Sequence, residues 1–173
     1  MPKVIGKVRE QLLDEVRRQI RDSGYASTTI RSVAEGCSIS VGTVYNYFRS
    51  KDVLVATAVA EDWEKTTGEI RSVSPSSAHD MLSLLWNTLK SFEEEHRALF
   101  TDPEAEKKFS SVFAEWHSVL RGQIASFLTP FLDGDFLPLF VAEALLTWVT
   151  EGVEYEKFCS VTDKLIDKDK ETH

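Results

Sequence analysis

Residues Ser27–Leu54 read STTIRSVAEGCSISVGTVYNYFRSKDVL, and this stretch decides the fold. It reads as two short helices joined by a tight turn and closed by aromatics and a lysine. Thr28 or Thr29 is placed to cap the first, because a hydroxyl there satisfies an otherwise unpaired N–H. Ile30, Val33 and Ala34 then form an i, i+3, i+4 apolar face. Gly36-Cys37-Ser38 breaks the pattern. Ser40 caps a second helix that begins at Val41. On it Val44, Tyr45 and Phe48 are expected to face inward, and Val41, Gly42, Thr43 and Asn46 outward. A short helix with small outward residues at its start suits a reader of base edges in the DNA major groove.

The charge distribution points the same way. The net charge of −8 alone argues against a nucleic-acid binder. Residues 1–51, however, hold nine Lys/Arg against five Asp/Glu, a net of +4, whereas the remainder is −12. A basic end on an acidic body is expected where one end touches phosphate and the other must not.

Outward from the central stretch the chain reads as helical. Val4, Val8, Leu12, Val16 and Ile20 repeat every four residues over a helix from about Val4 or Ile5 to Ser23, and Gly24 ends it. Ser50 caps a helix running to about Arg71. Ser77-Ala-His-Asp80 reads as a capping box for the next, which ends near Arg97. Asp102-Pro103-Glu104 starts a long helix that Thr129-Pro130 ends or bends. Asp135 caps Phe136–Glu151, a helix apolar nearly all round. Such a helix is either a central core helix or part of a subunit interface. A last helix runs from about Glu154 to Ile166, before a charged tail expected to fray.

The central stretch resembles the DNA-binding head of the TetR family of bacterial repressors. The match carries T-x-I-R-x-V-A, then S-x-G-T-V-Y-N-Y-F-x-S-K-D-x-L, in the family's order and spacing, over roughly the first third of the chain. The resemblance implies an all-α protein: an N-terminal three-helix helix-turn-helix head over residues 1–51, and a C-terminal helical bundle over 52–173 that binds effector and dimerises.

Position by position, the resemblance places Val41, Gly42 and Thr43 against base edges and the near backbone. Asn46 then pairs with adenine or a phosphate, and Arg31 is placed to read guanine. Thr28, Thr29, Ser40, Tyr47 and Lys51 look like phosphate holders. Tyr45 stays open between a phosphate contact and a core ring with its hydroxyl at the rim. Two departures stand out. Cys37-Ser38 replaces the family's usual Ala-Gly, which puts Ser where a positive φ is needed unless Gly36 shifts the turn. Val41 stands where a basic residue is common.

In the body, the resemblance implies an apolar cavity. Trp86, Phe113, Trp116 and Leu120 are its expected lining, with Asn87, His96 and His117 as polar contacts. Phe140, Ala144, Leu145, Trp148 and Phe158 are the expected dimer contacts. Catalytic residues, a metal site and cofactors are not expected: the four histidines are scattered, and there is no Gly-rich phosphate loop or Gly-x-Ser-x-Gly elbow. Cys37 reads as a small hydrophobe in the turn rather than a redox sensor. The two cysteines read as reduced thiols. MPKVIGKVRE has no long apolar run, and Phe136–Val149 is too short to span a bilayer. A soluble, cytoplasmic protein with no membrane partner is expected.

The expected function is that of a ligand-responsive homodimeric repressor. It would bind a palindromic double-stranded DNA operator and be released by a small apolar or aromatic effector. The alternative is a DNA-binding regulator controlled by a protein partner, with no small-molecule effector.

Overall fold

The computed structural model describes residues 2–170, with side chains for residues 7–110, 112 and 115–166. Among these there is no strand. The helices are α1 (Pro2–Ser27), α2 (Ile30–Gly36), α3 (Val41–Tyr47), α4 (Lys51–Ser72), α5 (Ala78–Phe100), α6 (Pro103–Leu128), α7 (Phe136–Thr150) and α8 (Tyr155–Lys170). The all-α expectation is met.

Local chemistry sets most of the boundaries. Gly24, at φ 81 and ψ 167, breaks α1 where the sequence placed its stop. Thr29 caps α2: its Oγ1 accepts the Ser32 N–H at 3.0 Å, and Ser32 Oγ accepts the Thr29 N–H at 3.0 Å. Ser40 Oγ accepts the Thr43 N–H at 3.0 Å, and Ser50 Oγ accepts the Val53 N–H at 3.2 Å. Each such cap stabilises its helix by about 1 kcal/mol relative to alanine. Asp102 Oδ1 accepts from the N–H groups of Glu104 and Ala105 and so starts α6.

Three local expectations are corrected. Asp135 makes no side-chain cap bond to α7, because its own backbone is helical (φ −86, ψ −23) rather than extended. Helix α5 does not end near Arg97. Its last turn is anchored by Leu99, which is 2% exposed, and Thr101 Oγ1 donates to the Arg97 carbonyl. Of the capping box at Ser77–Asp80 only one half forms as written. Ser77 Oγ accepts the Asp80 N–H, whereas the Asp80 carboxylate takes the Ser76 hydroxyl.

The chain divides into two compact units. The first runs to Thr67 and takes in Glu95–Ser110; the second takes Gly68–Glu94 and continues from Ser111. The first unit extends past residue 51. Its core needs more apolar surface than three short helices carry. Leu12, Leu13 and Val16 of α1 and Val33, Ala34 and Val44 of the reader are all buried, and so are Leu54, Val55, Ala58, Val59 and Trp63 of α4. Each large side chain so buried contributes about 1.5–3 kcal/mol. Tyr25, fully buried, stacks edge-on against Phe109 at 5.5 Å, and the Ala26 N–H donates to Asp102 Oδ2 at 3.0 Å. These contacts join the start of α6 to the end of α1.

In the second unit, Leu82, Leu85, Ile124, Leu128, Ala142 and Leu145 are buried. Trp86 packs against Tyr155 (5.5 Å) and Phe158 (5.0 Å), and Trp148 meets Phe158 edge-on at 6.0 Å. Helix α7 is covered on one face only. Pro138, Val141, Ala142, Leu145 and Val149 are buried, whereas Phe136, Leu139 and Phe140 are 76%, 41% and 46% exposed.

Candidate nucleic-acid interface

The reader is positioned by the buried faces of α2 and α3. Ile30, Val33 and Ala34 fix α2; Val44 and Phe48 fix α3 and its exit. Between them Ser38 takes φ 56, so the turn does use a non-glycine residue in the left-handed region. Gly36 does not shift it. Gly36 serves a different need, since a Cβ there would lie 2.0 Å from Glu15 Oε1. Glu15 is itself held by Arg18 and Gln19.

With those faces buried, Val41, Gly42 and Asn46 are exposed on α3 and Thr43 is half-buried. The Thr43 hydroxyl lies 2.8 Å from Ser40 Oγ, which fixes its rotamer and leaves its methyl as the free group. Tyr45 was expected to face inward, and this is corrected: its ring is 53% exposed. Val44 and Phe48, on the same helix, already fill the core side. Tyr47 is half-buried.

An open groove gathers residues from three places in the sequence: Thr28, Thr29, Ile30 and Arg31 at the start of α2, Val41 and Tyr45 on α3, and Arg49, Ser50 and Lys51 at the start of α4. Three of its cations differ in what they already hold. Lys51 Nζ donates to the Tyr25 carbonyl at 3.0 Å, lies 3.7 Å from the centre of the Tyr25 ring, and is 3.8 Å from Glu104. It therefore ties α4 to the end of α1, and one of its three N–H groups is already committed to the Tyr25 carbonyl. Arg31 and Arg49 are exposed and hold no carboxylate. Arg49 is the functional candidate that sequence reasoning missed. The only sequence signal was its charge, one step before the Ser50 cap.

Thr28 is removed from the phosphate holders. It is 1% exposed, and its hydroxyl donates to the Gly24 carbonyl at 2.9 Å. Cys37 is half-buried, its Sγ donating to the Gln11 carbonyl at 3.4 Å. Burial, and then the nearby Glu15 and Asp14 carboxylates, push its thiol pKa up.

Residues 12–58 match the family model described as bacterial regulatory proteins, tetR family. A curated relative, the HTH-type transcriptional repressor Rv1474c of Mycobacterium tuberculosis, is 26% identical over 94% of this chain and 95% of its own length. The head of the chain, residues 12–58, is that of the TetR family of bacterial regulatory proteins. Some relatives match over a shorter stretch. The HTH-type transcriptional regulator UidR of Escherichia coli is 29% identical over 36% of this chain, and the match spans only 32% of UidR. In fold, GusR of Salmonella enterica superposes with a TM-score of 0.66, at 16% identity, over 91% of this chain and 92% of that one. No helix among the described residues is long and apolar enough to cross a membrane.

The residues expected to line an effector site are not all brought together. Trp86 is buried among Tyr155 and Phe158. Trp116, His117 and Leu120 are half-buried on α6, with His117 Nε2 3.7 Å from Glu143, whose carboxylate also takes Arg121 at 3.3 Å. Asn87 is exposed. His96 belongs to the first unit and lies 3.0 Å from Asp62 there. The side chain of Phe113 lies outside the described residues. Of the expected dimer contacts, Phe140 is exposed and Ala144 and Trp148 are half-buried. Leu145 and Phe158 are corrected: both are 0% exposed within the chain itself and have no surface to offer a partner.

Proposed function

We propose that this chain is a homodimeric TetR-family repressor that binds a palindromic operator and is released by a small, largely apolar effector. The observation that carries the DNA-binding part is the groove between α2, α3 and the start of α4. It holds two arginines without carboxylate partners beside the outward residues of the reader helix. Val41, Gly42, Thr43 and Asn46 would read base edges, with a thymine methyl against Val41 or the Thr43 methyl. Arg31 would read guanine, and Tyr45, Tyr47, Thr29, Ser40 and the uncommitted N–H groups of Lys51 would hold phosphates, which set register without carrying sequence.

Dimerisation is supported by the uncovered side of α7, where Phe136, Leu139 and Phe140 stand exposed. A twofold pairing through that face covers them and presents two heads to two half-sites. The effector part is supported by the aromatic content of the second unit, since helices crowded with large rings readily leave apolar space between them. An effector lowers operator affinity only by its differential affinity for the two conformations of the body. Control by a protein partner instead is favoured by the packing of Trp86 onto Tyr155 and Phe158, which fills space with the chain's own rings.

A gel shift with the DNA upstream of its own coding region tests the function. Salt-sensitive, saturable retardation is the expected result. Absence of such binding there and at neighbouring promoters would sink the repressor reading. Tryptophan fluorescence during titration with acyl and aromatic compounds separates the two modes of control. A saturable change that tracks release of DNA supports a small effector.

A further inference from the structure

The groove on the head includes a cation, Arg49, that the family pattern does not point to. Along α1, three of the four arginines are committed to carboxylates: Arg9 to Glu61, Arg17 to Asp14 and Asp62, and Arg18 to Glu15 and Asp22; Arg21 is exposed but does not line the groove. Lys51 turns its ammonium to Tyr25 and Glu104. Arg49 lines the same groove, is exposed, and has no such partner. Its backbone is nonetheless fixed on both sides. Phe48, 4% exposed, is anchored in the core, and its N–H donates to the Val44 carbonyl at 3.0 Å. Ser50 caps α4. A free guanidinium on a backbone anchored on both sides, beside Arg31 and the Tyr45 hydroxyl, is a fork presented at low ordering cost to the two non-bridging oxygens of a phosphodiester.

We propose that Arg49 is a DNA-backbone ligand, holding a phosphate of the duplex in the groove it shares with Arg31 and Tyr45. The assignment rests on DNA binding by the head. Val41, apolar on the same groove, provides no charge there, and Arg49 adds a cation beside the partly committed Lys51. A backbone ligand raises affinity for every duplex about equally, and it contributes to the salt dependence of binding rather than to preference among sequences.

The test uses the full chain and two labelled duplexes: one that the wild type selects from a random duplex library, and one unrelated. Binding is followed by anisotropy between 50 and 200 mM salt for the wild type, Arg49→Ala, Arg49→Lys and, as a distant control, Lys90→Ala. Arg49→Ala is expected to weaken binding to both duplexes roughly tenfold. It is also expected to reduce the log–log salt slope by about one. The ratio between the duplexes stays unchanged. Arg49→Lys recovers most of the slope, and Lys90→Ala behaves as wild type. Because Arg49 holds nothing in the chain, the variant should melt with the wild type. Unchanged slope and affinity in Arg49→Ala, with wild-type binding intact, overturns the assignment alone. So does a changed ratio between the duplexes with the slope preserved. Failure of the wild type to bind any duplex overturns the DNA-binding function and this assignment with it.

Discussion

His96 Nε2 lies 3.0 Å from Asp62 Oδ2, and Arg17 Nε donates to that same oxygen at 3.0 Å. One carboxylate thus joins α1, α4 and α5 within the first unit. Arg17 reaches further along α4, with an NH2 at 2.8 Å from Asp62 Oδ1 and at 3.3 Å from the Ala58 carbonyl. The neighbours Ile20, Val55, Val59 and Leu99 surround the cluster with apolar surface. Burial alone would raise the Asp62 pKa, but hydrogen bonds from His96 and Arg17 and the charge of Arg17 outweigh it and hold the carboxyl below its usual range.

Asp62→Asn is therefore expected to destabilise the protein by about 2–3 kcal/mol. That is less than the 3–5 typical of a fully buried pair, because solvent reaches part of this one. Thermal unfolding checks it, with a fall in Tm of about 5–10 °C. The acid limb gives a second readout. Since the folded pKa is depressed, the unfolded chain binds more protons than the folded one between the two values. The stabilisation is complete above the unfolded value of about 4 and is lost as pH falls through the lower folded value. Below about pH 4 the wild type should lose Tm more steeply than Asp62→Asn. Parallel acid limbs would show that the carboxylate carries no such linkage.

The turn before the reader gives a stabilising substitution. Ser38 sits at φ 56, where a Cβ is disfavoured, and its hydroxyl makes no bond that would repay the strain. Ser38→Gly should stabilise by about 0.5–1 kcal/mol, the relief of strain exceeding the added freedom of the unfolded chain. A rise in Tm of about 2–4 °C with unchanged operator affinity is expected. A fall in Tm would mean that the left-handed turn is not strained by serine.

The thiols should be poor sensors of oxidants. Cys37 and Cys159 both have raised pKa values, in each case chiefly from burial, with nearby carboxylates adding to it. Little thiolate is present at pH 7, and the thiolate is the reactive form. Reaction with a disulfide reagent should be at least roughly tenfold slower in the folded protein than in urea. Prompt modification of Cys37 with loss of DNA binding would reverse this view.

The head was legible in the sequence to the level of single caps: Thr29, Ser40 and Ser50 act where hydroxyls precede apolar spacing. What the sequence did not show depends on contacts distant along the chain. Tyr25, next to the Gly24 stop, is the hub for Phe109, Asp52 and Lys51, and all three partners lie at least 26 residues further along the chain. His96 looked like a ligand group because nothing local reveals Asp62, 34 residues earlier, as its partner. Thr28 and Thr29 are indistinguishable by type, and only the kink at Gly24 assigns one to the core and the other to the cap. On α7 apolar residues occupy every face, so periodicity could not separate the buried Leu145 from the exposed Phe140.

That last distinction gives a paired prediction for the dimer. Phe140 is 46% exposed, so Phe140→Glu should leave the chain's own packing within about 0.5 kcal/mol of wild type. In a dimer that closes over this face, the same change places a charge in an apolar contact and should convert the protein to monomer. Phe158 is 0% exposed, so Phe158→Ala should cost about 3–5 kcal/mol through the lost ring and the cavity it leaves. Light scattering after size exclusion, combined with thermal melts of the separated species, distinguishes the two effects. Phe140→Glu should elute as a folded monomer that binds single half-sites weakly. Phe158→Ala should melt early in whatever state it assembles. If Phe140→Glu remained dimeric at micromolar concentration, the exposed face of α7 would not be the interface, and the pairing of heads on an operator would have to come from another surface.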